Sequence, residues 1–523
     1  MERNHSKYKS YSISNAGNSP VSRDVADRAR IVRDSFNFNQ SITTEILMHS
    51  PLVVLGGGPG GYAAAFLAAD RGMQVVLVEK DERLGGTCLL RGCIPSKALL
   101  HVGRVLAEAR EIQTWGIEFP KPSIRVDLLR SRKEKVISTL TGGLAQLAKR
   151  RGVEIIRGNA SFSNSTTLEI APGVPGGTST TLTFDHCILA SGSRPSKIPA
   201  FDLGTPRIMD STGALALEDI PESLLVVGGG YIGLEMGTVY AELGSKVTLV
   251  ELTGILLPGA DRDLVRPLAQ RLEKVFEKIL LNTKVTKLED RGDSIEVHFE
   301  GPQGMSSQRF SRVLVCVGRR PNSDGIGLEN TSVVISSKGF VEVDQQQRTS
   351  DPHIFAIGDV CGEPMLAHRA SHQGKVAVEV LRGEPAIFAP RAIPAVVFTD
   401  PEIAWAGLTE QEAHAQGLVV EIARYPWAAS GRAQAIGRTE GLTKIMIDPE
   451  SERVLGLGLV GPGAGELIAE GVLAIEMGCS ARDLAETIHP HPTLGETVGF
   501  SSESFYGIAT EIYRPGSNAE KAN

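Results

Sequence analysis

Short, fully apolar runs alternate with small-residue turns and longer mixed segments from residue 45 onward. Residues 52–55 (LVVL) and 75–78 (VVLV) are apolar throughout. Runs of this length without polar alternation predict parallel strands buried on both faces. The Ala-rich stretch 62–71 between them predicts a helix that Gly72 stops. The same order recurs at 224–227, a helix up to Gly244, and 247–250. Between the two units a helix is expected over 136–151 and a strand running into a small-residue turn over 188–193. After the second unit come expected strands at 313–317 and 354–359 and a helix opening at 365–368. From about Pro390 the character changes, with expected strands at 396–398, 442–447 and 454–460 and helices at 410–416 and 465–477. The fold class expected is α/β: two Rossmann-like dinucleotide-binding domains plus a C-terminal α+β domain. Residues 1–44 are polar and rich in Ser and Asn, and are expected to be disordered or loosely docked. A transit peptide is an alternative for them, against which Glu2, Asp24, Asp27 and Asp34 count.

The turns after the first strand of each unit carry the chemistry of the pattern. Gly56, Gly58 and Gly61 form a G-x-G-x-x-G between strand and helix, and Glu79 ends the next strand. Gly56 makes the tight turn, Gly58 admits a pyrophosphate at the helix N-terminus, and Gly61 permits close helix–strand packing. Glu79 is placed to accept hydrogen bonds from a ribose hydroxyl. Gly228, Gly230, Gly233 and Glu251 repeat the device at the same internal spacing, the acid 23 residues after the first glycine in both units. Two dinucleotides on one chain are therefore expected. Glu251 favours a free 2′-hydroxyl and repels a 2′-phosphate, which selects NAD over NADP.

Between the first unit and the following helix lies GGTCLLRGCIPSKALL, residues 85–100. Cys88 and Cys93 are separated by four residues, and Pro95 and Lys97 read as the first turn of a helix. A cysteine at a helix N-terminus has a stabilised thiolate. The pair is read as redox-active; a stapling disulfide or two core cysteines is the alternative. Six cysteines in 523 residues do not make a disulfide scaffold, and a close pair in so cysteine-poor a chain suits a reducing compartment. A net charge of −7 gives no footprint for nucleic acid or an anionic membrane. No apolar run approaches the ~18 residues of a membrane span, and no secretory signal is evident. The 57 glycines exceed the usual ~7 %.

Three further places invite two readings. Asp359 follows an apolar run and is either an acceptor for sugar-alcohol hydroxyls or an N-cap. Ser191, Gly192 and Gly318 lie in turns where the chain crosses between nucleotide domains, and Arg319 and Arg320 fit a phosphate or a solvated turn equally. His491 has Glu496 five residues on, so a carboxylate can hold the imidazole and raise its basicity. A structural histidine is the other reading, as it is for His368.

Taken in order, the 85–100 stretch, both glycine turns, FAIGDV with MLAH, IPAVVFTDPEIAWAGLTE, PWAASGRA and HPHPTLGE resemble the pyridine nucleotide–disulfide oxidoreductases, from about residue 45 to the C-terminal region. The likeness is greatest to the branch that oxidises dihydrolipoamide with NAD. It implies FAD on the first unit and NAD on the second. Lys97, Gly158, Asp359, Met365, Leu366, Ala367 and His368 match flavin-contacting positions, and Glu235, Val285 and Gly318 match positions lining the nicotinamide site. Cys88 would be the interchange thiol, Cys93 the thiol against the flavin, His491 the base and Glu496 its orienter. The organisation this implies is an extension at 1–44, an FAD domain at 45–195 and 325–390, an NAD domain at 196–324 and a dimer-interface domain at 391–523. It also implies a cytoplasmic homodimer with shared active sites. Its partners would be lipoyl domains and the acyltransferase core of 2-oxo acid dehydrogenase complexes, with the glycine cleavage system as another host; neither a metal nor a membrane is implied. An organellar matrix replaces the cytoplasm if the extension is a transit peptide. The chain departs from the family's usual Asn-Val at Leu90-Arg91, from Ala at Pro490 and from Ser at Gly495. A disulfide reductase using NADPH is disfavoured by Glu251, and the absence of cysteine after Cys479 disfavours one with a C-terminal thiol pair. A purely assembling subunit is the remaining rival.

Overall fold

The computed structural model describes residues 46–173 and 179–512, so the expectation for 1–44 lies outside the described residues. The apolar run 52–55 belongs to the strand Ile46–Leu55, which lies parallel between Val75–Glu79 and Thr180–Leu189. Glu154–Asn164 and Ile354–Ala356 add parallel strands at the two sides. Thr167–Pro172 runs antiparallel to both Glu154–Asn164 and Thr180–Leu189. Every residue of 52–55 and 75–78 is buried, as strands covered on both faces require.

The second unit repeats the layout. Ser223–Val227 lies parallel between Lys246–Val250 and Arg312–Val315, with Lys278–Leu280 and Ile208–Met209 outside them. The two crossover turns turn out to be partners. Ser193–Pro195 and Arg319–Pro321 form a two-stranded antiparallel ladder, so the chain leaves the first unit and returns to it at one place. The C-terminal part is a five-stranded antiparallel sheet in the order Ala395–Val397, Glu402–Gly407, Val454–Gly461, Leu442–Ile447, Glu421–Pro426. Helices Ala464–Met477 and Glu496–Tyr506 pack on it around Trp427, Ile445 and Leu457.

Several boundaries differ from expectation. The first helix is Pro59–Asp70, starting three residues early because Pro59 occupies a position whose N–H would be unpaired anyway. The strand at 188–193 gives way to its expected turn after Leu189, and the strand expected at 354–359 ends at Ala356. The helix expected at 136–151 runs Val126–Arg150. Its first ten residues show little apolar periodicity, and its buried Lys133 donates to the Leu215 carbonyl at 2.6 Å.

A buried ion cluster ties the second unit to the C-terminal sheet. Lys444, fully buried, places Nζ 2.7 Å from Asp261, 2.8 Å from Asp263 and 2.5 Å from Glu410. These three carboxylates have metal-ligand spacing, but the Lys444 ammonium already sits among them and Arg424 pairs with Asp263 and Glu410. Among the described residues no helix is long and apolar enough to cross a membrane.

Candidate active site and its cofactor cleft

A cleft of about 700 Å³ runs from the first glycine turn past both cysteines to the second unit. Its size is in the range of cofactor sites. Gly56 has φ +113°, and a Cβ there would overlap the Ala190 carbonyl. A Cβ on Gly61 would overlap the Gly56 carbonyl. Gly58 is the N-cap of Pro59–Asp70 with no side-chain cap, which leaves the first helical N–H groups for an anion. A Cβ on Gly58 would meet nothing nearer than the Gly86 Cα at 3.8 Å. Glu79 accepts from the Gly57 N–H at 2.6 Å and the Asp81 N–H at 2.8 Å. The turn, the uncapped helix end and the carboxylate together fit an adenine dinucleotide such as FAD.

The second turn is built alike. Gly228 has φ +111°, Gly230 caps Tyr231–Leu243 without a side chain, and a Cβ on Gly233 would overlap the Gly228 carbonyl. Glu251 accepts from the Gly229 N–H at 2.6 Å and the Thr253 N–H at 2.7 Å. This fits a second dinucleotide.

Cys88 lies in the short helix Gly86–Arg91, and Cys93 is the first residue of Cys93–Glu111. Both are free thiols on the wall of the cleft. The hydrogen bond from Cys88 and the charge of Lys97 lower Cys93 to about 7, against the opposing effects of burial and Glu235. That same bond and burial push the Cys88 thiol up. The thiolate of the reduced pair therefore resides on Cys93. Lys97 is held by Glu235, with Nζ 3.0 Å and 2.9 Å from its two oxygens and 4.4 Å above the Phe398 ring. Phe398 also donates its N–H to Glu235 at 3.0 Å. Arg91 pairs with Asp81, so its charge is spent at the far wall of the cleft and not on the thiolate.

The remaining expected positions divide. Gly158, Ser191, Gly192, Asp359, Met365 and Ala367 line the cleft, whereas Leu366 and His368 do not. Gly158 accommodates a crossing neighbour, since its Cβ would overlap the Ala171 carbonyl. His368 puts Nε2 2.9 Å from the Pro394 carbonyl. Asp359 caps no helix; it accepts from the Ser193 hydroxyl at 2.5 Å, and Arg319 donates to that hydroxyl at 2.8 Å. Arg319 is thus engaged within the protein. Ser193 and Phe398 were not legible as site residues: Ser193 sits in no motif, and Phe398 lies in the IPAVVFTDPEIAWAGLTE stretch with nothing local to mark its contact with Lys97 and Glu235. Val285 is buried in an apolar cluster with Val227, Val250 and Val315 rather than in the cleft wall. Gly318 has φ +115° and room for a ligand, its Cβ meeting only Ser196 Oγ at 3.8 Å.

His491 and Glu496 meet: Nδ1 is 2.8 Å from Oε1, and Oε2 accepts from the Thr493 N–H at 2.7 Å. Glu496 is buried at the start of Glu496–Tyr506, where the dipole favours a carboxylate. The pair forms with Pro490 and Gly495 in place. Yet the His491 side chain is 77 % exposed, and among the described residues no histidine lines the cleft that holds the cysteines. One chain brings the thiols to the cofactor cleft and the His–Glu pair to an outer surface.

Residues 50–374 match the pyridine nucleotide-disulphide oxidoreductase family, and residues 393–500 match that family's dimerisation domain. The chain belongs to the pyridine nucleotide-disulphide oxidoreductase family. A dihydrolipoyl dehydrogenase of Vibrio cholerae is 48 % identical over 471 residues, 90 % of this chain and 98 % of that protein. One from Haemophilus influenzae is 49 % identical over 461 residues, 88 % of this chain and 96 % of its own. The solved structure of LpdA from Mycobacterium tuberculosis superposes with a TM-score of 0.81 at 26 % identity, over 88 % of this chain and 99 % of that one. As a member of this family the chain is a flavoprotein oxidoreductase that uses FAD and NAD, and its dimerisation domain makes it a homodimer.

Proposed function

We infer that this chain is a dihydrolipoyl dehydrogenase, oxidising dihydrolipoamide to lipoamide with NAD as the final acceptor. The observation that carries the reading is the Cys88–Cys93 pair, with Cys93 at a helix start beside Lys97, in a cleft that runs from the first glycine turn to Tyr231 and Ile232 at the start of the helix after the second. In the oxidised enzyme the two sulfurs form a disulfide. His491, held by Glu496, removes a proton from the substrate dithiol, and the resulting thiolate attacks Cys88. The S–S bond breaks, and Cys93 leaves as a thiolate stabilised by Lys97. His491 then assists the second substrate thiol, which displaces Cys88 and closes the lipoamide disulfide. FAD supplies two-electron transfer between the reduced cysteines and NAD. The residues that hold it are Gly56, Gly58, Gly61, Glu79, Gly158 and Asp359, and Gly228, Gly230, Gly233 and Glu251 hold NAD.

The FAD domain is 45–195 with 325–390, the NAD domain 196–324 and the interface domain 391–523. His491 serves the partner's cysteines, a reading supported by its exposure and by the lack of histidine among the described residues that line the thiol cleft. The substrate is carried on lipoyl domains, and the dimer docks on the acyltransferase core of a 2-oxo acid dehydrogenase complex. Its residence is cytoplasmic, where a reducing environment suits a working thiol pair.

The test mixes two inactive homodimers, Cys88→Ser and His491→Gln, under conditions that let subunits exchange. Half the dimers become mixed, each with one intact site of two, so activity with dihydrolipoamide and NAD recovers to about a quarter of wild type. No recovery despite demonstrated exchange overturns the shared site. Full activity in either homodimer overturns the assigned chemistry.

A further inference from the structure

A chain of buried hydrogen bonds ends on the loop that carries His491. The Trp427 indole N–H donates to Thr443 Oγ1 at 2.9 Å, Thr443 Oγ1 to Thr497 Oγ1 at 2.8 Å, and Thr497 Oγ1 to the Leu494 carbonyl at 2.7 Å. All three side chains are fully buried. An indole only donates and a carbonyl only accepts, so both hydroxyl protons must point the same way, toward Leu494. The donor end is fixed by its surroundings: a Cβ on Gly441 or Gly461 would overlap the Trp427 ring. Trp427 also donates its backbone N–H to the Gly441 carbonyl at 2.9 Å. At the other end, Thr497 directly follows Glu496, and Leu494 lies between His491 and Glu496.

We propose that Trp427, Thr443 and Thr497 are positioning residues that hold the 491–496 loop so that Glu496 keeps His491 in its working orientation. This rests on the reading of His491 as the base. The loop has further anchors: the Thr497 N–H also donates to the Leu494 carbonyl at 3.2 Å, and the Leu494 side chain packs against the core of the sheet. The Thr493 hydroxyl donates to Pro490 within the loop at 2.8 Å, and the Val498 N–H donates to the Gly495 carbonyl at 3.0 Å. The Trp427 chain adds a directional link from the loop to the sheet, beside the Ser501 hydroxyl, which bonds the Ala423 and Thr443 carbonyls at 3.3 and 3.4 Å. Buried polar chains of this kind specify one geometry because each broken link strands its neighbour without a partner. Displacement of a catalytic group by about 1 Å costs up to ~100-fold in rate.

The test separates hydroxyl from shape in the FAD-loaded dimer. Thr497→Val keeps the volume and removes the hydroxyl; Thr497→Ser keeps the hydroxyl and removes a methyl. With dihydrolipoamide, Thr497→Val is expected to lower kcat about ten-fold with kcat/KM for NAD unchanged. Thr497→Ser is expected to keep kcat within about two-fold although it lowers the melting temperature. A kcat that follows melting temperature in both variants, or a Thr497→Val enzyme with wild-type kcat, overturns the proposal. If Thr497→Val does not fold, Thr443→Val applies the same criteria one bond further from the loop. His491→Gln is measured alongside. Wild-type rate in that variant refutes the base assignment, whereas collapse there with full rate in the threonine variants refutes the positioning chain alone.

Discussion

The two dinucleotide turns are the same local object set in different surroundings. Both place a glycine near φ +110°, leave a helix N-terminus uncapped and bend a carboxylate back onto the backbone N–H after the first glycine. The first is roofed. Helix Ala367–Leu381 crosses it so closely that a Cβ on Gly374 would lie 2.7 Å from the Gly60 carbonyl, and one on Gly60 3.0 Å from the Ala370 carbonyl. Gly86 of the Cys88 helix closes the front, and Glu79 is buried. The second turn has no such cover. A Cβ on Gly230 would meet nothing within 4 Å, Tyr231 is 42 % exposed, and Glu251 is half-exposed. Enclosure suits a cofactor that stays, and openness suits a nucleotide that exchanges every turnover. The difference in use arises from packing, not from the turn.

The sharpest way to break this contrast is to lift the roof. Gly374→Val forces the Ala367–Leu381 helix away from Gly60, an overpacking cost of about 1–3 kcal/mol. The purified protein is expected to lose most of its FAD on gel filtration, read by flavin absorbance. Gly230→Ala should retain full FAD and raise only the KM for NAD. Equal FAD loss in the two variants would refute the roofing argument. A smaller effect is expected at the open turn. Glu251→Ala removes the carboxylate that repels a 2′-phosphate and should raise NADP use relative to NAD about ten-fold, measured as the ratio of kcat/KM values. Wild-type protein that already uses both equally would sink this role for Glu251.

The smallest effect concerns the thiolate between the two turns. Cys93 is lowered to about 7, so in the reduced enzyme it is thiolate above that pH and thiol below it. Lys97→Met removes a cation that lowers it, and the midpoint should rise by about one unit. The pH dependence of Cys93 alkylation, followed by mass spectrometry, reports the shift. An unchanged midpoint would mean that the Cys88 hydrogen bond alone sets the thiolate.

Local elements were readable because their causes are local. The helix Glu410–Gln416 falls at its expected bounds, closed by a Thr409–Glu412 capping box and by Gly417 in the left-handed region. The glycine spacing, the start of a helix at Cys93 and the His491–Glu496 pair all operate within a few residues of chain. The Val126–Arg150 helix was half-legible because its N-terminal turns lack the apolar stripe that marks a buried face.

Short-range residue order was thus enough for the two nucleotide turns, the thiol pair at a helix start, the imidazole–carboxylate pair and the succession of α/β and α+β parts. Only the tertiary structure decided what each of these faces. Lys97 meets Glu235 across 138 residues, Ser193 meets Asp359 across 166, and Thr443 meets Thr497 across 54. Such partners depend on strand order and on which helix crosses which turn, and no periodicity or motif encodes them. The same holds for the roof over Gly60, which needs two small residues, Gly60 and Gly374, far apart in the chain and brought face to face only when the sheet has formed.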